Sequence, residues 1–168
     1  MITVMNFIDL FNLRGQLRVL KRKPDLLGLR DFLNRPETER YGIDTVVFDS
    51  FTPEGAGRVL RYHEFLQHNG FRVIAREARK MADGSLRSNL EGDMFIEAFK
   101  VLLKAKPEVF VLVSGNGIFS PLCQFLRETG MRVEVASLPS SLARNLKFSA
   151  HGFLDLTEWA ESCEVLAA

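Results

Sequence analysis

The chain has 168 residues, 46% hydrophobic and 26% charged, with 22 Lys and Arg against 21 Asp and Glu for a net charge of +1. This composition excludes a disordered, collagen-like or coiled-coil chain and predicts one globular domain over 1–168 that buries its own core. With so little net charge, an anionic partner has to be met by a local patch.

Ile2 to Ile8 is an apolar run broken only by Thr3 and Asn6; it suits a strand buried on both faces and ends at Asp9. It has neither the basic flank nor the cleavage site of a signal peptide. From Leu10 a helical stretch carries Leu17, Leu20 and a basic cluster until Pro24 breaks it, and Leu26 to Leu33 forms a second helical piece. Ile43 to Phe48 is the next strand, ending in Asp49 before the turn-like Ser50 to Gly57. Val59, Tyr62, His63 and Leu66 fall at helical spacing up to the stop at Asn69-Gly70, and Phe71 to Ala75 is a short strand. Arg76 to Asn89 has Asp83-Gly84 and no apolar period, which predicts an exposed loop.

Phe95, Ala98, Phe99 and Leu102 mark an amphipathic helix closed by Pro107, with Glu91 lying before it is fully wound and Asp93 and Glu97 sharing a face. Val109 to Val113, Ser114-Gly115-Asn116-Gly117 and a helix with Leu122, Phe125 and Leu126 make a strand, tight turn and helix. Arg132 to Ala136 is a further strand, Ser140-Ser141 an N-cap pair for a short helix, and Phe153 to Leu156 a last strand. Alternating strands and helices predict a mainly parallel sheet of five or six strands covered by helices, with every strand's C-terminal end on one edge.

Asp9, Asn12, Asp49 and Ser114 to Asn116 close the strands on that edge, and Glu91 and Glu97 can join them from the central helix. Carboxylates grouped there suit a hard divalent ion, which takes one or two of them and keeps waters for a phosphate substrate. Acids at such positions also serve simply as caps or solvated loops. Cys123 and Cys163 form no C-x-x-C pair and read as small buried thiols in a reducing, cytoplasmic chain. His63, His68 and His151 make no ligand spacing and read as structural or helix-surface residues.

The order Phe7-Ile8-Asp9-Leu10-Phe11-Asn12-Leu13, then Glu91 to Ala98, then Val113 to Phe119, then Gly130 to Val135 resembles the NYN domain, the LabA-like branch of the PIN-like nuclease superfamily. The resemblance implies a three-layer α/β/α Rossmann-like sandwich, a Mg²⁺ or Mn²⁺ site of clustered acids, and cleavage of RNA phosphodiesters by metal-activated water. The family's first motif, I-D-G-x-N, carries over as Asp9 and Asn12, with Leu10 in place of glycine. Its second, K-G-x-D with an Asp six residues on, stands here as Ser88-Asn89-Leu90-Glu91 and Glu97, without the basic residue. Its third, S-G-D-G-D-F, keeps Ser114 and Gly115 but has Asn116 and Ile118 in place of both aspartates, and the family's later Ala-Asp is Ala150-His151.

The resemblance therefore implies Asp9, Glu91 and Glu97 as catalytic and metal-binding acids, Asn116 as a further ligand, and Asn12, Ser114 and Gly115 as substrate contacts, to which helical spacing beside the Asp9 turn adds Arg14 and Arg18. Two readings stay open: a Mg²⁺- or Mn²⁺-dependent ribonuclease, and a NYN domain with weakened or lost catalysis that binds RNA or regulates through protein contacts. RNA is the expected partner in both. Arg14, Arg18 and Arg22 recur every four residues beside Lys21 and Lys23, while Arg76, Arg79, Lys80 and Arg87 form a second set. Either set positions a strand or is a solvated face. No Lys follows Gly117, so no Walker-type nucleotide site is expected, and no run approaches the ~20 apolar residues of a membrane span. Phe153 to Trp159 serves equally a homo-oligomer contact or a buried C-terminal anchor.

Overall fold

The computed structural model describes residues 1–167. The elements are, in order, β1 (Ile2–Asp9), α1 (Leu10–Val19), α2 (Leu26–Leu33), β2 (Arg40–Phe51), α3 (Ala56–His68), β3 (Arg72–Glu77), β4 (Arg79–Lys80) and β5 (Leu86–Arg87). There follow α4 (Leu90–Lys104), β6 (Val109–Val113), α5 (Ser120–Glu128), β7 (Arg132–Ser137), α6 (Arg144–Ser149), β8 (Gly152–Asp155) and α7 (Thr157–Ser162). Six of the strands form one sheet in the order β3-β2-β1-β6-β7-β8, with every neighbouring pair parallel.

Parallel strands covered on both faces lose the alternation of a half-exposed sheet. In β6 all five residues are buried, as is the stretch Val4 to Asp9 of β1. On one face Val4, Ile8, Val47 and Val111 pack under Leu13 and Leu17 of α1, Leu29 of α2, Leu66 of α3 and Trp159 of α7. On the other, Phe7, Phe48 and Phe110 pack under Met94 and Ala98 of α4, Leu122 and Leu126 of α5 and Leu146 of α6. The Phe7 ring lies 4.9 Å from Phe48 and 4.8 Å from Phe110, tying the three central strands two residues below Asp9. The molecule is thus a three-layer α/β/α sandwich.

The chain runs outward from β1 through β2 to β3, returns to β6 on the opposite side of β1, and runs outward again to β8. Strand order reverses between β1 and β6, the switch point at whose carboxyl ends sheets of this kind place their sites. Asp9 and Ser114 close those two strands.

Several local expectations are corrected. β2 begins at Arg40 rather than Ile43, because Ile2 pairs with Arg40 and a bulge opposite Val4 and Met5 absorbs one extra residue. The expected loop 76–89 contains the β4–β5 hairpin, which turns at Gly84 with φ +82°, a conformation glycine adopts without steric cost. Leu90 already belongs to α4, so Glu91 sits inside its first turn. Ser140 and Ser141 lie in a 3-10 turn, and Ala143 precedes α6 without a side-chain cap. Trp159 is 3% exposed, so the C-terminal helix is an anchor packed onto the core. Among the described residues no helix is long and apolar enough to cross a membrane.

Candidate functional site

Asp9 ends β1 and caps α1: its carboxylate accepts the Asn12 backbone N–H at 3.2 Å and the Ser114 hydroxyl at 2.9 Å. The Ser114 oxygen in turn accepts the Asn116 N–H at 3.1 Å. Asn12 reaches across to the β6 turn, its Oδ1 accepting the Gly115 N–H at 2.9 Å and the Gln16 amide at 2.7 Å. Gln16 passes the link to β7 by accepting the Ser137 hydroxyl and the Leu138 N–H. The turn after β6 is therefore pinned to α1 by side chains of Asp9 and Asn12, as the I-D-x-x-N and S-G pattern requires.

Gly115 is obligatory for close approach. A Cβ there would lie 2.1 Å from the Ser141 carbonyl oxygen, and its own carbonyl accepts the Ala143 N–H at 2.9 Å. Asn116 spends its side-chain oxygen capping the following turn by accepting the Ile118 N–H at 3.1 Å, and Ile118 is half exposed beside it. The turn after β6 is carboxylate-free where the resembled motif has two aspartates.

Asp9 is 6% exposed. Burial pushes its carboxyl up to about 6; the Asn12 N–H and Ser114 hydroxyl pull it back in part, and the negative charges of Glu91 and Asp49 raise it further. Glu91 is half-buried in the first turn of α4 and has no ion-pair partner among the described residues. Asp9 thus feels the negative charge of Glu91, and neither carboxylate has an ion-pair partner among the described residues.

Glu97 lies elsewhere. Six residues further along α4, roughly 9 Å down the helix axis, it binds Arg72 of β3 and Lys100, both at 2.6 Å. Burial pushes its carboxyl up, and these two cations more than cancel that, holding it below the usual range. Asp93 shares its face, as its spacing predicts, and takes a bidentate grip from Arg76 at 2.7 and 2.9 Å. The acids of this face tie α4 to the edge strand β3. Among the described residues no three His, Cys, Asp or Glu side chains gather at metal-binding distance, because Glu97 is drawn away and Asn116 is an amide.

The basic stripe of α1 is not a free face. Arg14 is ion-paired with the fully buried Asp49, and Arg22 donates to the Cys163 carbonyl at 2.7 Å. Arg18 is exposed. Alternation along β2 puts Asp49 on the α1–α3 side, away from the Phe48 face, and His63 of α3 meets it at 2.7 Å. Sequence reasoning passed over this triad of Arg14, Asp49 and His63, and over Gln16. The signal was present in both cases: a polar residue at a buried helical position, His63 with Leu66 and Gln16 with Leu13 and Leu17.

No curated protein matches the chain. In fold it is similar to the crystal structure of a protein of unknown function from Vibrio parahaemolyticus, with a TM-score of 0.76, 18% identity and 94% of each chain covered. Residues 3–157 match the NYN domain, a match that takes in all six strands of the sheet and both sides of the switch point. On that extent the chain belongs to the NYN domain family, within the PIN-like nuclease superfamily.

Proposed function

We propose that the chain is a ribonuclease dependent on a single divalent ion, Mg²⁺ or Mn²⁺, held by Asp9 and Glu91. The observation that carries this is the uncompensated pair itself. A buried carboxylate raised to about 6, with a second carboxylate adding to its charge and no ion-pair partner for either, favours a positive ion beside it. Mg²⁺ needs only one or two carboxylates when waters and substrate phosphate fill the remaining positions, so these residues fit one ion. Two ions would need the acids that Asn116 and Ile118 replace.

Such an ion would supply Lewis-acid stabilisation of charge developing on the phosphodiester. The chain's own residues do the positioning. Ser114 donates to Asp9 and keeps one of its oxygens oriented, while Asn12 holds the Gly115 turn against α1 so that the backbone of the β6 loop stays fixed under the substrate.

Calorimetric titration of Mg²⁺ and Mn²⁺ into the metal-stripped protein tests the proposal, alongside cleavage of a labelled RNA in Mn²⁺. Asp9→Asn and Glu91→Gln should each abolish both signals, and Glu97→Gln should preserve metal binding. Absence of binding at millimolar metal would overturn the nuclease reading. A second reading, a non-catalytic RNA-binding NYN domain, draws on the amide cap of Asn116 and the apolar Ile118 beside it. It predicts RNA binding that Asp9→Asn leaves intact and no cleavage by any variant.

A further inference from the structure

Between the edge strand β3 and the helix bearing Glu91, the chain builds the β4–β5 arm. Its root is stapled to the sheet by the Ala78 N–H donating to the Phe51 carbonyl at 2.8 Å and by the Arg76–Asp93 pair. Its tip is a formed turn: the Met81 N–H donates to the Ser85 carbonyl, Ser85 donates twice to Asp83, and Gly84 takes φ +82°. The arm is thus a shaped projection at the carboxyl edge, and Arg87 lies only three residues before α4 begins.

Its charge has no internal explanation. Arg79 and Arg87 are direct cross-strand partners in the antiparallel register, so their side chains share a face about 5 Å apart at Cβ. Like charges placed opposite one another are unfavourable, and neither they nor Lys80 has an ion-pair partner among the described residues. All three are exposed. Arg76, by contrast, is neutralised by Asp93. On a chain of net charge +1 this local excess is the kind of patch an external anion would settle. Further along the same edge, Phe11 in the first turn of α1 is 59% exposed, two residues after Asp9, although most large apolar side chains of the sheet layers are buried. An exposed aromatic face takes an unpaired base, which a duplex does not offer.

Resting on the ribonuclease reading above, we infer that the β4–β5 arm grips the phosphates of a single-stranded RNA through Arg79 and Arg87 and directs the strand along the sheet edge to stack on Phe11 beside Asp9. β3 and β1 lie two strand spacings apart, an offset of roughly 10 Å across the sheet.

The test is fluorescence anisotropy with a labelled single-stranded RNA of roughly 12 nucleotides, in EDTA so that no cleavage intervenes, across a salt series. Each phosphate contact on a single strand contributes a slope of about −0.7 in log K against log salt. Arg79→Gln with Arg87→Gln should therefore flatten the slope by about 1.4 and weaken binding roughly 25-fold at 0.1 M salt. The Arg79→Lys, Arg87→Lys pair should keep most of the slope. Phe11→Ala should weaken binding roughly tenfold with the salt slope unchanged, and a duplex of the same length should be insensitive to it. An unchanged slope in the double Gln variant overturns the arm, and equal loss on duplex overturns the stacking. If the wild type binds with the expected slope yet neither it nor any variant cleaves in Mn²⁺, the arm stands and the nuclease reading falls. If the wild type does not bind RNA, both fall.

Discussion

Replacing Asp9 by asparagine separates stability from function and does so with a definite pH signature. The ordinary carboxyl value of 3.8 rises to about 6 in the fold, chiefly through burial. At 1.36 kcal/mol per pH unit, ionising Asp9 in place costs the native state about 3 kcal/mol. Because the folded chain holds this proton more tightly than the unfolded one, the penalty is absent below about pH 3.8, grows as the pH rises towards 6, and is complete above it. An asparagine at this position carries no such penalty. It can still accept the Asn12 N–H, but its amide nitrogen cannot accept the Ser114 hydroxyl, a loss of about 1 kcal/mol. The net expectation in EDTA is an Asp9→Asn protein about 2 kcal/mol more stable than wild type at pH 8, a rise of about 4–8 °C in Tm, with the advantage gone at pH 4. Urea and thermal unfolding at both pH values measure this. Mg²⁺ at a hundredfold excess over its Kd should then raise the wild type by about 2.7 kcal/mol and leave the variant unmoved. An Asp9→Asn protein equally destabilised at pH 4 and pH 8 would refute the reasoning, since it would mean that the carboxyl is not desolvated.

Metal affinity of the wild type should rise with pH up to about 6 and level off above it, because the ion competes with the proton on Asp9; calorimetry at a series of pH values follows it. Gly115→Ala drives a methyl to 2.1 Å from the Ser141 carbonyl and should cost about 1–3 kcal/mol, with loss of cleavage at metal concentrations that saturate the wild type. Glu97→Gln should lower stability by about 1 kcal/mol in chemical unfolding through its bonds to Arg72 and Lys100 while the metal Kd stays as in wild type. Arg14→Ala leaves Asp49 buried with one partner fewer and should cost about 3 kcal/mol or more in unfolding. Its RNA affinity, measured on the folded fraction, should stay near that of wild type.

The layers and the strand edge were readable along the chain because burial on both faces writes itself as unbroken apolar runs such as Val109 to Val113, and turns write themselves as Ser114-Gly115 and Asn69-Gly70. Those signals are local, set by side-chain size and backbone freedom within a few residues. The convergence of Asp9, Asn12 and Ser114 was likewise legible, since each follows a strand directly and parallel strands bring such positions to one edge.

What no local pattern contains is how charges are apportioned between elements distant in sequence. Glu97 is a fitting acid at a fitting spacing, yet Arg72, twenty-five residues earlier, holds it at the side of the helix that meets β3. Arg14 belongs to an evenly spaced basic stripe, yet Asp49 takes it, thirty-five residues on. Arg79 and Arg87 look like parts of a loop until the hairpin register sets them opposite one another. Short-range sterics and hydrophobic periodicity thus determine the layers, the strand ends and the Asp9 turn from sequence alone. Which carboxylates remain free for a cation, and which cations remain free for a phosphate, is decided only by tertiary structure, because ion pairing acts through space and each charge goes to the nearest partner the fold supplies.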